Sequence, residues 1–160
     1  MSEQPARPDK EFVYVTYIRA TPEQIWKGIT EPEFTRQYWM HDNVSDWNEG
    51  SRWEHRQAGM PGGGEDGKVH IVGEVLESDH PYKLVVSWVP PASVGRPEKT
   101  SRVSFVLDQE GLEEWPHGPW TRLTVAHTEM DDEMHGSVSH GWPSVLSGLK
   151  SVLELGGFSS

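Results

Sequence analysis

Near its C-terminal end the sequence contains Gly141-Trp-Pro-Ser-Val-Leu-Ser-Gly-Leu-Lys-Ser-Val-Leu-Glu154. Apolar residues recur there at helical spacing and form one stripe, made of Trp142, Leu146, Leu149 and Leu153. A proline is tolerated only in the first turn of a helix, so Pro143 predicts a helix that begins between Ser139 and Trp142. Gly156 and Gly157 are predicted to end it. Such a helix spans about 20 Å, the width of a small sheet.

A second signal lies near the other end, in Ala20-Thr-Pro-Glu-Gln-Ile-Trp26. Thr21 is a typical N-cap, Pro22 suits the first helical position, and Gln24 completes a capping-box pattern. The run before it is rich in β-branched and aromatic residues, which is typical of a strand. These signals predict a strand over residues 12–19, a helix over 22–29 and a second short helix over 31–39.

The middle of the chain is predicted to consist of short strands separated by turn residues. The strands are expected at 44–47, 51–56, 69–77, 83–89, 100–107 and 121–127. A sheet of these strands would wrap around the terminal helix, which is an α+β architecture. The chain has 160 residues, which fits one domain. We therefore predict a single domain over 11–157, with a flexible tail at 1–10 and a short tail at 158–160.

Composition narrows the function classes. The net charge of −11 would repel phosphate backbones and anionic lipid headgroups, so nucleic-acid binding is disfavoured. There is no cysteine, which removes disulfide, thiol and thiolate-metal chemistry. The first ten residues lack the apolar core of a signal peptide, and no run reaches transmembrane length. A cytoplasmic protein without membrane insertion is predicted.

Five stretches of the chain carry a family resemblance. They are 18–26, 30–32 with Tyr38 and Trp39, 73–77 with 84–88, 121–127, and 141–142 with Leu146 and Leu149. Together they resemble the family of homologues of the heat-shock-protein-90 ATPase activator (AHSA-like), within the START-like, Bet v-like superfamily of helix-grip folds (SRPBCC). The resemblance covers Phe12 to Leu155. It implies a curved antiparallel sheet of about six or seven strands around a long C-terminal helix, with two short helices after the first strand.

The resemblance implies several functions, because members of this superfamily include lipid carriers, polyketide cyclases, hydrolase-like enzymes and an antibiotic-resistance protein. It also makes a chaperone a candidate partner and stress response a candidate process. In the eukaryotic co-chaperone, however, ATPase stimulation depends heavily on a separate N-terminal domain, for which 160 residues leave no room. Chaperone activation therefore does not follow from the resemblance.

The leading hypothesis is noncatalytic binding of a hydrophobic or aromatic small molecule, such as a lipid, sterol or polyketide, between sheet and helix. Residue types alone leave a filled core as the alternative. The predicted cavity lining combines the helix stripe with facing strand and short-helix positions: Tyr14, Thr16, Ile18, Trp26, Trp39, Trp88, Phe105, Val125, His127, Trp142, Leu146, Leu149 and Leu153.

An enzyme of the cyclase or hydrolase type is the alternative from another class. Alternation places His127 on the apolar face, where it could act as an acid or base with Tyr14 or Thr16 assisting. No nucleophile accompanies it, so no catalytic residue is assigned. A protein-interaction module of the co-chaperone type is a third reading, and the protein is expected to be a monomer or a homodimer.

No metal or cofactor is predicted. The acidic and histidine-containing run at 127–140 lacks the spacing of a recognised metal site and is interpreted as a solvated loop. Residues 62–68 fit G-x-x-x-x-G-K, but Val69 follows where a phosphate-binding loop needs Ser or Thr. We interpret that segment as a flexible hairpin loop.

Overall fold

An antiparallel sheet of seven strands curves around a long C-terminal helix, as predicted. The computed structural model describes residues 8–59 and 67–156. The strand order is β1-β7-β6-β5-β4-β3-β2. The elements are β1 Lys10–Ile18, α1 Pro22–Thr30, α2 Pro32–Tyr38, β2 His41–Val44, β3 Arg52–Gln57, β4 Val69–Asp79, β5 Lys83–Trp88, β6 Ser101–Asp108, β7 Thr121–Met130 and α3 Asp132–Glu154.

The start of the fold follows the local sequence signals. Thr21 Oγ1 accepts a hydrogen bond from the Gln24 amide at 3.1 Å, and Gln24 Oε1 accepts one from the Thr21 amide at 2.9 Å. The predicted capping box is therefore confirmed. Lys10, which we predicted to lie in the tail, is the first residue of β1. Most of the predicted tails and of the 62–68 loop lies outside the described residues.

The prediction of a strand at 44–47 is wrong, because β2 precedes it at His41–Val44. Two side chains take the amides that a ladder would need: Ser45 Oγ accepts from the Trp47 amide and Asp46 Oδ1 from the Asn48 amide. Trp47 has a φ of 62°, which is incompatible with an extended strand. These local bonds form a turn where the sequence pattern suggested a strand.

The predicted start of the terminal helix is also wrong, because α3 begins at Asp132 and has 23 residues, about 35 Å. Asp131 is the N-cap, and its Oδ1 accepts from the Met134 amide at 2.8 Å. Asp132 and Glu133 lie in the first turn, where negative charge is favourable. Pro143 is therefore inside the helix, at a local cost of about 3 kcal/mol. The run interpreted as a solvated loop is helical from Asp132 onward.

β7 contains an irregularity that redirects its last residues. Lys10 pairs with Met130 whereas Phe12 pairs with His127, so β7 has one extra residue between them. Glu129 provides the left-handed conformation, with a φ of 60°. Because strand residues alternate, Met130 would otherwise face away from His127. The bulge buries both, and Met130 is only 1% exposed.

Close helix packing makes one glycine of α3 sensitive to substitution. A Cβ at Gly148 would lie 2.8 Å from Tyr38 Cβ, an atom fixed to the α2 backbone, whereas a Cβ at Gly136 would meet nothing within 4 Å. We expect Gly148→Ala to destabilise the protein by about 1–3 kcal/mol, because α2 and α3 must separate. Gly136→Ala in the same helix should stabilise it by about 0.5–1 kcal/mol. Urea unfolding measures both, and equal effects of the two substitutions would contradict this packing.

None of the helices in residues 8–59 and 67–156 combines the length and the apolarity needed to cross a bilayer.

Candidate functional site

A cavity of about 550 Å³ lies between the N-terminal half of α3 and the sheet. Its volume falls within the range of small-molecule sites. The end of β5, the start of β6, the connection between them, the end of β7 and the strands β2 to β4 supply the rest of its wall. The apolar part of the lining consists of Ile71, Trp88, Pro90, Met130, Met134 and Val138. The polar part consists of His41, His55, His70, Ser93, Lys99, Ser101, Glu129, Asp131, Glu133 and Ser137.

Three indole rings, which we call the aromatic plug, pack together where the apolar core borders this cavity. Its members are Trp39, Trp88 and Trp142. The ring of Trp142 is 5.6 Å from the ring of Trp39 and 5.6 Å from that of Trp88, measured between centroids. The plug also borders a recess of about 100 Å³ beside Val145. On the other side of the plug the buried core contains a recess of only about 10 Å³, which borders Leu84 and Phe105.

The structure brings the predicted cavity residues together on the inner face, but most of them lie in the apolar core. Buried core positions are Ile18, Trp26, Phe105, Val125, Leu146, Leu149 and Leu153, while Tyr14 packs at their edge. Thr16 is half-buried on the same strand. Trp88 lines the 550 Å³ cavity, and Trp39 and Trp142 line the small recess. Ligand contact by the predicted set stays a prediction.

His127 is completely buried and hydrogen-bonded at both ring nitrogens. The Trp142 indole N–H donates to Nδ1 at 3.0 Å, and Nε2 lies 2.7 Å from Ser101 Oγ. Burial lowers the pKa of His127 to about 4, so the ring is neutral at pH 7. A neutral ring that accepts at Nδ1 carries its proton on Nε2. His127 therefore donates to Ser101, whose hydroxyl donates in turn to the Trp88 carbonyl at 3.2 Å.

This direction of the hydrogen bonds bears on the enzyme alternative. A serine nucleophile needs a neighbouring base with a free lone pair that can take its proton. The Nε2 atom that faces Ser101 already carries a proton, and the Nδ1 lone pair is occupied by Trp142. In this state Ser101 and His127 cannot act as a nucleophile and base. The pair instead fixes the end of β6 against β7 and the plug.

A second histidine group, the histidine trio, forms one wall of the cavity and consists of His41, His55 and His70. The rings of His41 and His55 stack with a centroid distance of 4.1 Å and an interplanar angle of 7°. His41 Nε2 lies 2.9 Å from His70 Nδ1. Sequence patterns did not single out these residues, because three separate strands supply them.

Backbone carbonyls determine the proton positions in the trio. Asn43 donates through Nδ2 to the Ile29 carbonyl at 2.8 Å, so its Oδ1 must accept from His55 Nδ1 at 2.7 Å. The Trp39 carbonyl accepts from His41 Nδ1 at 2.7 Å. When His41 is neutral, its Nε2 accepts from His70 Nδ1. With His41 neutral, all three protons are on Nδ1 atoms.

The trio consequently exposes unprotonated nitrogens. Burial, with smaller contributions from His41 and His70, lowers the pKa of His55 to about 3. Desolvation also lowers the pKa of His70. Neutral rings with protonated Nδ1 atoms have lone pairs on Nε2. The Nε2 atom of His55 has no hydrogen bond within the described residues and is not sealed by them, so it is open to the cavity.

The cavity rim is rich in carboxylates. Lys99 Nζ donates to Asp131 Oδ2 at 2.6 Å and lies 3.7 Å from Glu133. The hydrogen bond from Lys99 lowers the pKa of the Asp131 carboxyl. Glu129 is 3.2 Å from Arg102, just outside the lining. The lining itself contains three carboxylates and one ammonium group, which disfavours an anionic ligand.

The described residues contain no group of three or more histidine and acidic side chains placed to hold a metal ion. Lys68 of the G-x-x-x-x-G-K match is followed directly by strand β4. A phosphate-binding loop requires a helix at that point.

The seven-stranded sheet, the gripped helix and the cavity between them define a helix-grip domain of the START-like class. Residues 19–154 match the family model described as Activator of Hsp90 ATPase homolog 1-like protein. The chain belongs to this family. A comparison with curated proteins returned no match.

Solved structures with the same fold include several bacterial proteins. Protein MLL2253 from Mesorhizobium loti aligns with a TM-score of 0.69 and 21% identity, covering 91% of this chain and 98% of that one. The Aha1 dimer from Colwellia psychrerythraea gives 0.66 and 20%, covering 92% and 98%. CalU16 from Micromonospora echinospora gives 0.66 and 20%, covering 91% and 76%. At these identities the similarity shows the fold alone.

Proposed function

We propose that this protein binds a hydrophobic or aromatic small molecule in the cavity between α3 and the sheet, without catalysing a reaction. The observation that carries the proposal is the 550 Å³ cavity, whose lining combines apolar side chains with the histidine trio. Small-molecule sites commonly combine apolar walls with a few oriented polar groups. This site lies nearer the N-terminus of α3 than the helix stripe that motivated the hypothesis.

The apolar wall can accommodate a flat or aliphatic ligand body. Trp88 contributes an indole ring to the lining, and Met134 and Val138 lie one turn apart on α3. Methionine side chains adapt their shape to different ligands, and an indole offers a large apolar face. The Trp88 indole N–H has no hydrogen-bond partner among the described residues.

Filling the cavity should abolish binding. We expect at least one of palmitate, cholesterol, 2-naphthol and 2-methoxynaphthalene, at about 100 times its Kd, to raise Tm by roughly 5 to 10 °C. Val138→Trp should remove this shift by occupying the cavity. His140→Trp adds the same side chain to the same helix at an exposed position outside the lining, and should retain the shift. Thermal unfolding with isothermal titration measures both effects.

The proposal fails if none of the four compounds shifts Tm, or if the two tryptophan variants lose the shift equally. The first result would favour a protein-interaction role. For the co-chaperone alternative, the family description alone provides support, and a pull-down with the chaperone, scored by its ATPase rate, tests it. Cytoplasmic localisation and a monomeric or homodimeric state stay predictions.

A further inference from the structure

We propose that the cavity selects neutral aromatic molecules that carry hydroxyl groups, and that His55 and His70 accept hydrogen bonds from those hydroxyls through their Nε2 atoms. The proposal rests on the proposed function, because it concerns the same cavity. It adds the chemical class of the ligand and the residues that recognise it.

The first argument is the proton arrangement behind the trio. When His41 is neutral, the three Nδ1 protons are accepted by Asn43 Oδ1, the Trp39 carbonyl and His41 Nε2. Asn43 cannot be reversed without losing its own bond to the Ile29 carbonyl. The trio therefore offers acceptors rather than donors to the cavity, and an acceptor site recognises O–H groups.

The second argument is the cost of leaving these acceptors without a partner. His55 is 5% exposed, so water reaches its Nε2 only through the cavity. An apolar ligand that expelled this water would leave the lone pair unsatisfied. A hydroxylated ligand replaces the water with an equivalent bond. The site thus discriminates against ligands of the same shape that lack the donor.

The third argument concerns charge. A carboxylate ligand would meet the lone pairs of the trio on one wall and the three carboxylates of the rim on another. Lys99 offers little compensation because it is paired with Asp131 at 2.6 Å. The chemistry of the cavity therefore favours a neutral hydroxyl over a fatty-acid or aryl carboxylate.

The fourth argument is the position of the aromatic wall. The rings of His55 and Trp88 are 5.9 Å apart between centroids, which is too close for a third ring to lie between them. A ligand ring must instead lie elsewhere in the cavity, where Met134 and Val138 also contribute apolar lining. The histidine trio lines the same cavity, so a hydroxyl substituent on that ring can be directed toward it.

The test compares three probes of nearly the same shape by isothermal titration: 2-naphthol, 2-methoxynaphthalene and 2-naphthoate. We expect 2-naphthol to bind about 10-fold or more tightly than its methyl ether, because the ether cannot donate. 2-Naphthoate should bind more weakly than 2-naphthol. Equal affinity of naphthol and ether, or tighter binding of the naphthoate, would overturn the proposal while leaving small-molecule binding intact. Absence of binding by all three would overturn this proposal, whereas the proposed function fails only if palmitate and cholesterol also leave Tm unchanged.

Two further measurements assign the effect to the trio. His70→Phe keeps a ring but removes Nε2, and should reduce the preference for naphthol over the ether at least 3-fold. His140→Phe, outside the cavity, should leave the preference unchanged. Nitrogen-15 spectra of the histidine rings provide a readout that needs no substitution. They should show unprotonated Nε2 atoms in His55 and His70 that shift when 2-naphthol is added, and protonated Nε2 atoms there would refute the proposal.

Discussion

Gly73→Ala is expected to destabilise the protein by about 3 kcal/mol or more. A Cβ at Gly73 would lie 1.9 Å from the Ser87 carbonyl oxygen and 2.5 Å from Trp53 Nε1. Trp53 is the residue opposite Gly73 on β3, and its indole N–H donates to that same carbonyl at 2.7 Å. The indole thus crosses the strand at the one point where no side chain obstructs it. Glycine within a strand often marks such a close approach.

The size of the effect follows from what would have to move. The nearest atom to the added methyl group is a backbone oxygen of β5, which cannot rotate away. Alanine must therefore separate β4 from β5 and break the Trp53 bond, so an overpacking cost adds to a lost hydrogen bond. Urea unfolding of Gly73→Ala measures the loss.

Two control substitutions separate these causes. Gly136→Ala introduces the same methyl group where it meets nothing, and should not destabilise. Combining Gly73→Ala with Trp53→Leu should not restore stability, because the clash with the Ser87 carbonyl remains. An unchanged urea midpoint for Gly73→Ala would show that the β3-β4-β5 arrangement is incorrect.

Mild acid is expected to remove on the order of 5 kcal/mol of stability between pH 6.5 and pH 4. The pKa values of His127 and His55 fall from about 6.5 in the unfolded chain to about 4 and about 3 in the folded protein. Between these values the unfolded state binds more protons, so stability decreases as the pH falls. Above pH 6.5 both states are neutral at these residues and the contribution is fully present. Each histidine contributes a slope of about 1.4 kcal/mol per pH unit within its window.

The measurement is a series of urea unfolding curves from pH 7 to pH 4.5. Carboxyl groups such as Asp131 have lowered pKa values, so their protonation dominates only in stronger acid. His127→Gln can accept from Trp142 and donate to Ser101 without titrating, and should reduce the slope by about 1.4 kcal/mol per pH unit. His140→Gln, at an exposed position, should leave it unchanged. A stability that is flat over this range would mean that the two rings are not buried in neutral form.

Local sequence patterns predicted most helices and strands, because the residues that specify each element lie within a few positions of one another. The capping box of Thr21 and Gln24 and the stripe from Trp142 to Leu153 are examples. The start of α3 was missed because two local signals compete. The Asp131 cap and the acidic first turn favour helix, whereas Pro143 disfavours it, and only tertiary packing of the added turns decides between them.

The site was harder to predict than the fold for a different reason. His41, His55 and His70 come together through the pairing of β2 with β3 and of β3 with β4. Placing β2 at residues 44–47 separated His41 and Asn43 from that register. With β2 at its true position, His55 faces Asn43 directly across the ladder. Whether the helix stripe bordered a filled or an open interior depended on how three indoles pack, which residue types do not determine.

The fold and the binding surface use different parts of α3, and Trp88 of the aromatic plug belongs to both the core and the cavity lining. Leu146, Leu149 and Leu153 secure α3 on one side of the plug, while Met134 and Val138 of the same helix border the cavity on the other. Replacements of Met134 and Val138 are therefore expected to change which molecules are accepted with less effect on the packing of α3 than replacements of the three leucines. For protein engineering, ligand selectivity can therefore be changed at positions that contribute less to the stability of the fold.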